Sequence, residues 1–300
     1  MVLTSIRRLA GGLLLAGNLH AATITVNDTG FAQSDDGVCT FAEAIDAVNN
    51  DTASGVLASE CTAGGTEDTI EFDLPLPAFI DQPFMLTVSR SVVIEGPGKD
   101  LLSISGNGIS RILRINNVVL SEFTVRGLTF TAGFAGDNLL GFDPSGGAVF
   151  VDATVSPVTF EDVRFENSAA GFAGGGVALV NVSSTLSALR TFRRCHFVGN
   201  TALGSSINEV SGNSGGGGGK YIGGSVDVLI EDSTFESNVT LINGVAPSAD
   251  GDSQGGAIWM VSAASSATSE LLVRRSTFSG NSAVGLGGGL AIGMATVTDD

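Results

Sequence analysis

Basic charge is scarce in this sequence. Only 14 Lys and Arg stand against 31 Asp and Glu in 300 residues, a formal net charge of −17. A surface this acidic repels phosphate backbones, which argues against a reader of nucleic acid. Charge of either sign is sparse, at 15% against about 25% in ordinary soluble domains. Tyrosine and tryptophan occur once each. No later segment approaches the ~20 consecutive apolar residues of a membrane-spanning helix. Apolar residues, at 43%, suffice to bury a core and exclude wholesale disorder. The 42 glycines follow no G-X-Y period, which excludes collagen. Length allows one large domain or two small ones.

Residues 1–22 read as an address. Arg7 and Arg8 precede a short apolar stretch, Leu9 to Gly17, and then Asn18-Leu19-His20-Ala21-Ala22. A charged start, an apolar run too short to span a bilayer and a small-residue end form a secretory signal. The competing reading, a buried N-terminal helix, is weakened by Gly11, Gly12 and Gly17. A cut after Ala21 or after Ala22 fits, with Leu19 or His20 at the −3 position. Its removal leaves 12 basic against 31 acidic groups, a net charge of −19.

Export permits disulfides. Cys39 and Cys61 bracket a predicted helix from Phe41 to about Asn49, and a bridge between them would tie it to the following loop. Thr40 and Glu43 form a T-x-x-E capping box, and Phe41, Ala44, Ile45 and Val48 share one face. Cys195 stands alone, as a buried small hydrophobe or a reactive thiol.

From residue 67 the chain becomes a series of short strands. Thr69–Phe72, Met85–Val88, Val92–Ile94, Leu101–Ile104 and Ile112–Ile115 are apolar, β-branched runs punctuated by Pro, Gly and Asn. Phe130, Phe165, Phe197, Phe235 and Phe278 then open similar phrases, such as F-V-G-N-T-A-L-G and F-S-G-N-S-A-V-G. Each phrase leads to a glycine cluster. The spacings are 35, 32, 38 and 43, and most of the variation falls between Phe and glycines. Insertions at one point of a repeat place the long loops, Ala202–Ser214 and Val239–Gln254, on one side of a solenoid.

Charge supports stacking. Four residues before each Phe stand Arg126, Glu161, Arg193, Glu231 and Arg274; three before stand Gly127, Asp162, Arg194, Asp232 and Arg275. Signs alternate between copies, as coils about 4.8 Å apart require. Residues five before the Phe are apolar and share parity with the charged −3 position. The chain therefore turns a corner at −4 and −3 that puts both charges outside. The pairs Glu161-Asp162 and Glu231-Asp232 resemble the acid and base of a glycosidase, but flanking arginines lower carboxylate pKa values and favour a structural ladder. Asn200, Asn238 and Asn281 form a second predicted ladder, interrupted where Asn167 falls one residue early. Asn238-Val239-Thr240 also matches a glycosylation sequon.

Thr23 to Asn49, with C-T-F-A-E-A at Cys39–Ala44, resembles the CSLREA-type N-terminal domain of exported bacterial proteins. Ala42 replaces that motif's Arg. The F-x-x-N and G-G-A-[IV] phrases (Gly146–Val149, Gly255–Ile258) are similar to polymorphic outer-membrane protein repeats. Together the resemblances imply an all-β fold, a right-handed parallel β-helix of the pectin-lyase-like type, on a surface or secreted protein. They imply no catalytic residue. The expected organisation is a signal at 1–22, a cap with its disulfide-tied helix at 23–66, and a β-helix at 67–300. The strand-like Leu290 to Val297 lacks a polar cap, which suggests a fragment or a short relative.

Two functions compete. One is a secreted or cell-surface protein, adhesin-like or structural, binding an extracellular glycan or protein through its long loops. The other is a polysaccharide lyase or glycoside hydrolase, since fold does not settle function. Asp250 and Asp252 could bind calcium or belong to a solvated loop. The run ending Gly219-Lys220 departs from a phosphate-binding loop at Ser214 and Tyr221 and reads as a flexible linker.

Overall fold

The computed structural model describes residues 21–54, 60–116, 122–136, 144–152, 157–181, 188–204, 215–224, 226–241, 254–261, 269–285 and 287–293. These residues form a parallel β-helix with one helix at its N-terminal mouth. A representative coil runs through Val158–Glu161, Arg164–Glu166, Ala169–Ala170 and Val177–Asn181. The next coil lies in register upon it, Phe160 on Phe192, Phe165 on Phe197, Ala170 on Ala202 and Val177 on Lys220. Repetition builds four parallel sheets. Among the described residues the first has eight strands, the second and third seven each, and the short fourth five.

The coil follows from residue chemistry. In Val158–Glu161, Val158 and Phe160 point inward and are wholly buried, while Thr159 and Glu161 face out. The residue after this strand turns the corner in the left-handed region. Gly127, Asp162, Arg194, Asp232 and Arg275 all have positive φ, from 46° to 63°. For a non-glycine residue that conformation costs roughly 1–2 kcal/mol. The corner throws the −4 and −3 side chains outward and returns the −2 residue to the core, where Leu128, Val163 and Cys195 show no exposure.

The repeat phenylalanines form one column inside the second sheet. Ring centroids lie 5.8 Å apart for Phe130–Phe165, 4.9 Å for Phe165–Phe197, 4.5 Å for Phe197–Phe235 and 4.9 Å for Phe235–Phe278. In-register stacking at the coil spacing puts these rings in contact without further arrangement.

The glycine clusters correct one expectation. Gly215–Gly219 is a packed turn and not a flexible linker, because its five residues are all buried. A Cβ at Gly175 would lie 2.4 Å from the Thr201 carbonyl oxygen and 2.5 Å from that of Gly218. Only glycine permits so close an approach of successive turns.

At the N-terminal mouth, α1 (Phe41–Asn50) starts at the Thr40 capping box, and Asp51 ends it in the left-handed region. Its apolar face joins the core with Ile24, Ile70 and Leu86. Cys39 and Cys61 are bridged. Thr23–Val26 pairs with Asp68–Phe72 as the first strand of the first sheet, so the cap and solenoid share a sheet. No helix among the described residues is long and apolar enough to cross a membrane.

Column packing predicts a sharp contrast between two phenylalanines. Phe197→Ala, in the centre of the buried column, should cost about 3–5 kcal/mol in urea unfolding. Phe79→Ala, at a side chain 53% exposed, should change stability by less than about 1 kcal/mol.

Candidate functional site

The outer corner between first and second sheets gathers the charges singled out in the sequence. Arg126 bridges Glu95 at 3.2 Å and Glu161 at 3.1 Å, so the ladder extends one coil further than predicted. Arg193 meets Glu231 at 3.2 Å. The −3 arginines take two carboxylates each. Arg194 Nη2 lies 2.7 Å from Glu161 and 2.8 Å from Asp162, and Arg275 clasps Glu231 and Asp232 at 2.6 Å. Arg274 is aligned with Glu231 in the ladder, yet among the described residues it forms no ion pair. The straight rungs Arg126–Glu161, Arg193–Glu231, Arg194–Asp162 and Arg275–Asp232 are present, and diagonal contacts from Arg194 to Glu161 and from Arg275 to Glu231 are added to them. The left-handed corner aims the −3 guanidinium back at both acids of the preceding coil.

This geometry counts against the glycosidase reading of both pairs. Hydrogen bonds from Arg194 hold Glu161 and Asp162 below the usual carboxylate range, and Arg275 does the same to Asp232. A general acid needs the opposite shift.

The asparagine ladder runs inside the next turn. Asn200 Nδ2 donates to Asn238 Oδ1 at 3.0 Å and Asn238 Nδ2 to Asn281 Oδ1 at 2.9 Å. The same amides donate to the Phe165 and Phe197 carbonyls. The break expected at Asn167 is absent because Ser168 takes the position. Its backbone N–H donates to Asn200 Oδ1, and its hydroxyl accepts from Gly133 N. Asn238 is wholly buried and thus a poor glycan acceptor in the folded chain.

Two nucleophile candidates lie in the core. Cys195 is buried, and burial pushes its thiol up to about 12, which leaves it inert near neutral pH. Lys220 occupies an inward column with Val177 and Ile258 as its neighbours. Its Nζ has no hydrogen-bond partner and lies 2.8 Å from the centre of the Phe192 ring. Burial holds this amine well below the ordinary lysine range, and its nitrogen sits where an N–H can point at the ring face. Sequence reading weighed Lys220 as the end of a phosphate-loop-like run and not as a core residue, because its glycine-rich flank concealed the strand Lys220–Gly224.

Two surface features remain as binding candidates. The first is a polar cleft of about 480 Å³ in the cap, lined by Gln33, Ser34, Asp35, Glu43, Asp46 and Asn50 among others. Glu43 accepts from Ser34 N and Thr40 N, which fixes the loop against α1. The second lies on the second sheet's outer face, where Arg164 sits beside His196 in register and bonds Asp100 at 2.8 Å. Burial and the charges of Lys99 and Arg164 lower the basicity of His196. Neither feature was legible in the sequence, since each joins segments far apart in the chain. Asp250 and Asp252, the candidate calcium ligands, lie outside the described residues. Among those that are described, no group of three His, Cys, Asp or Glu side chains is placed to hold a metal ion.

Comparison of the chain with family models, curated proteins and solved structures gave no match.

Two substitutions test these assignments. In Arg194→Gly, lost exposed ion pairs oppose relief of the left-handed corner, so stability near pH 7 should stay within about 1 kcal/mol of the parent. Its acid dependence should weaken. Glu161 and Asp162 have folded pKa values below the unfolded ones, so their contribution is present above about pH 4.3 and lost as pH falls through the folded values. Urea midpoints between pH 3 and 6, scanned for both proteins, measure the difference. Lys220→Met should raise the urea midpoint at pH 7, because burial opposes the protonated amine in the folded chain and methionine fills the position without that cost. The folded Lys220 amine binds a proton less readily than the unfolded one. Parent stability should therefore gain a component that rises with pH toward about 10.4, and the variant should lack it.

Proposed function

We propose that this chain is an exported bacterial protein of the cell surface or surroundings, adhesin-like or structural, that binds without chemical turnover. The observation that carries the reading is the arginine clasp on Glu161-Asp162 and Glu231-Asp232. The residues best suited by type to glycoside hydrolysis are committed to holding coils together. The signal-like residues 1–22, the disulfide and the likeness of Thr23–Asn49 to CSLREA-type domains support export. Binding falls to the polar cap cleft and to the long loops read from the sequence, most of whose residues lie outside the described ones. Hydroxyl, amide and carboxylate groups line that cleft and suit a neutral glycan or a protein surface. A net charge of −19 disfavours a polyanion.

A polysaccharide lyase is the second reading, favoured by one observation. Lys99, Arg164 and His196 gather on an outer sheet face, where a base and cations for an acidic sugar would be needed.

The deciding experiment expresses the full chain in a diderm bacterial host, fractionates the cells and screens the exported protein against neutral and acidic glycans with and without calcium. Binding without cleavage of any glycan is expected. Appearance of unsaturated product from an acidic polysaccharide, lost in His196→Ala, would replace this reading by the second.

A further inference from the structure

Asp68 is a carboxylate in an apolar column. It aligns with Val92, and the same inward position holds Phe123 and Val158 in the following coils. Only 1% of its surface is exposed. Oδ1 accepts Gly65 N at 2.6 Å and Ala22 N at 3.1 Å, while Oδ2 is buried without a partner. A buried carboxylate with one unsatisfied oxygen and no cation is a costly arrangement. One of the two donors to this carboxylate is the backbone nitrogen of Ala22, one residue before the first strand.

Ala22 is held at both ends of its peptide unit. Its N–H reaches Asp68, and its carbonyl accepts Thr69 N at 2.8 Å, the opening bond of the first sheet. A cut after Ala22 would delete both bonds. A cut after Ala21 keeps both and changes the donor.

We propose that the leader is removed between Ala21 and Ala22, and that the new α-ammonium of Ala22 forms an ion pair with Asp68. The inference rests on the export reading and chooses between the two cut points left open by the sequence. Peptidase-catalysed hydrolysis adds water across the Ala21–Ala22 bond. The hydroxyl goes to the Ala21 carbonyl carbon, a proton goes to the Ala22 nitrogen, and the freed amine takes up a second proton as the Ala21 carboxyl ionises. One amide donor becomes three ammonium donors carrying a unit charge, 3.1 Å from Oδ1 and able to turn a proton toward Oδ2. Processing thereby completes the N-terminal mouth, in the column where the next three coils place Val92, Phe123 and Val158.

The test uses the full chain, exported and purified. N-terminal sequencing should find Ala22 first. Acylation of that amine by a succinimidyl ester at pH 7, followed on the N-terminal peptide by mass spectrometry, should be at least about tenfold slower than in Asp68→Asn. A carboxylate at this distance raises an amine's pKa by about one unit or more. The parent protein unfolded in urea gives the unprotected rate should the variant not fold. An exported chain beginning at Thr23 or elsewhere overturns the cut point, and an Ala22 amine acylated as fast when folded as when unfolded overturns the ion pair. An uncut chain retained in the cytoplasm overturns the export reading and this inference with it.

Discussion

Parallel coils in register set each residue about 4.8 Å from its counterpart in the next coil, and every other feature of this molecule answers to that constraint. Like must lie upon like. Side chains that attract their own kind profit from it. Phenylalanine rings stack with centroids 4.5–5.8 Å apart, and asparagine amides pass a hydrogen bond from coil to coil. Like charges gain nothing from it, and at the corner glutamate aligns with arginine, although nearer the mouth Glu71 lies on Glu95. Backbone turns must also nest, and the glycine clusters are where they do so most closely.

The same constraint explains what was legible in the sequence. Phe-to-Phe phasing, alternating signs and the parity of the −5 and −3 positions sufficed to locate a corner at −4 and −3, because each is a property of columns. Features that depend on side-chain reach were not legible. Ser168 stands one residue beyond Asn167 and fills the asparagine position with a hydroxyl that satisfies the same backbone amide. Arg275, and not Arg274, takes Glu231, because the left-handed corner redirects the −3 side chain. The strands Thr23–Val26 and Ala78–Asp81 were passed over, the first lying before the strand series begins and the second following Pro75 and Pro77. The cap cleft joins the loop around Gln33–Asp35 to α1, and no local pattern encodes that meeting.

Inward charges are the exceptions, and each has a different resolution. Arg190 is nearly buried beside the Val158 and Val228 positions and donates to the Ala188 carbonyl; burial lowers it to about 10. Lys220 has its basicity lowered by burial and sets its Nζ over the Phe192 ring. Asp68 lies at the mouth, where a chain terminus can be brought to it.

These exceptions bear on how one register is chosen. A strand that slips by two residues keeps its buried face, so aliphatic columns alone discriminate poorly. Groups with few acceptable partners discriminate well. Asn238 loses two hydrogen bonds to Asn281 Oδ1 if its coil shifts, and Arg194 loses both carboxylates. Exposed ion pairs contribute at most about 1 kcal/mol to stability, so their value lies in penalising the wrong alignment. Among the described residues the corner charges are thus spent on alignment, while Arg164 and His196 stand outside the ladder on the second sheet's outer face.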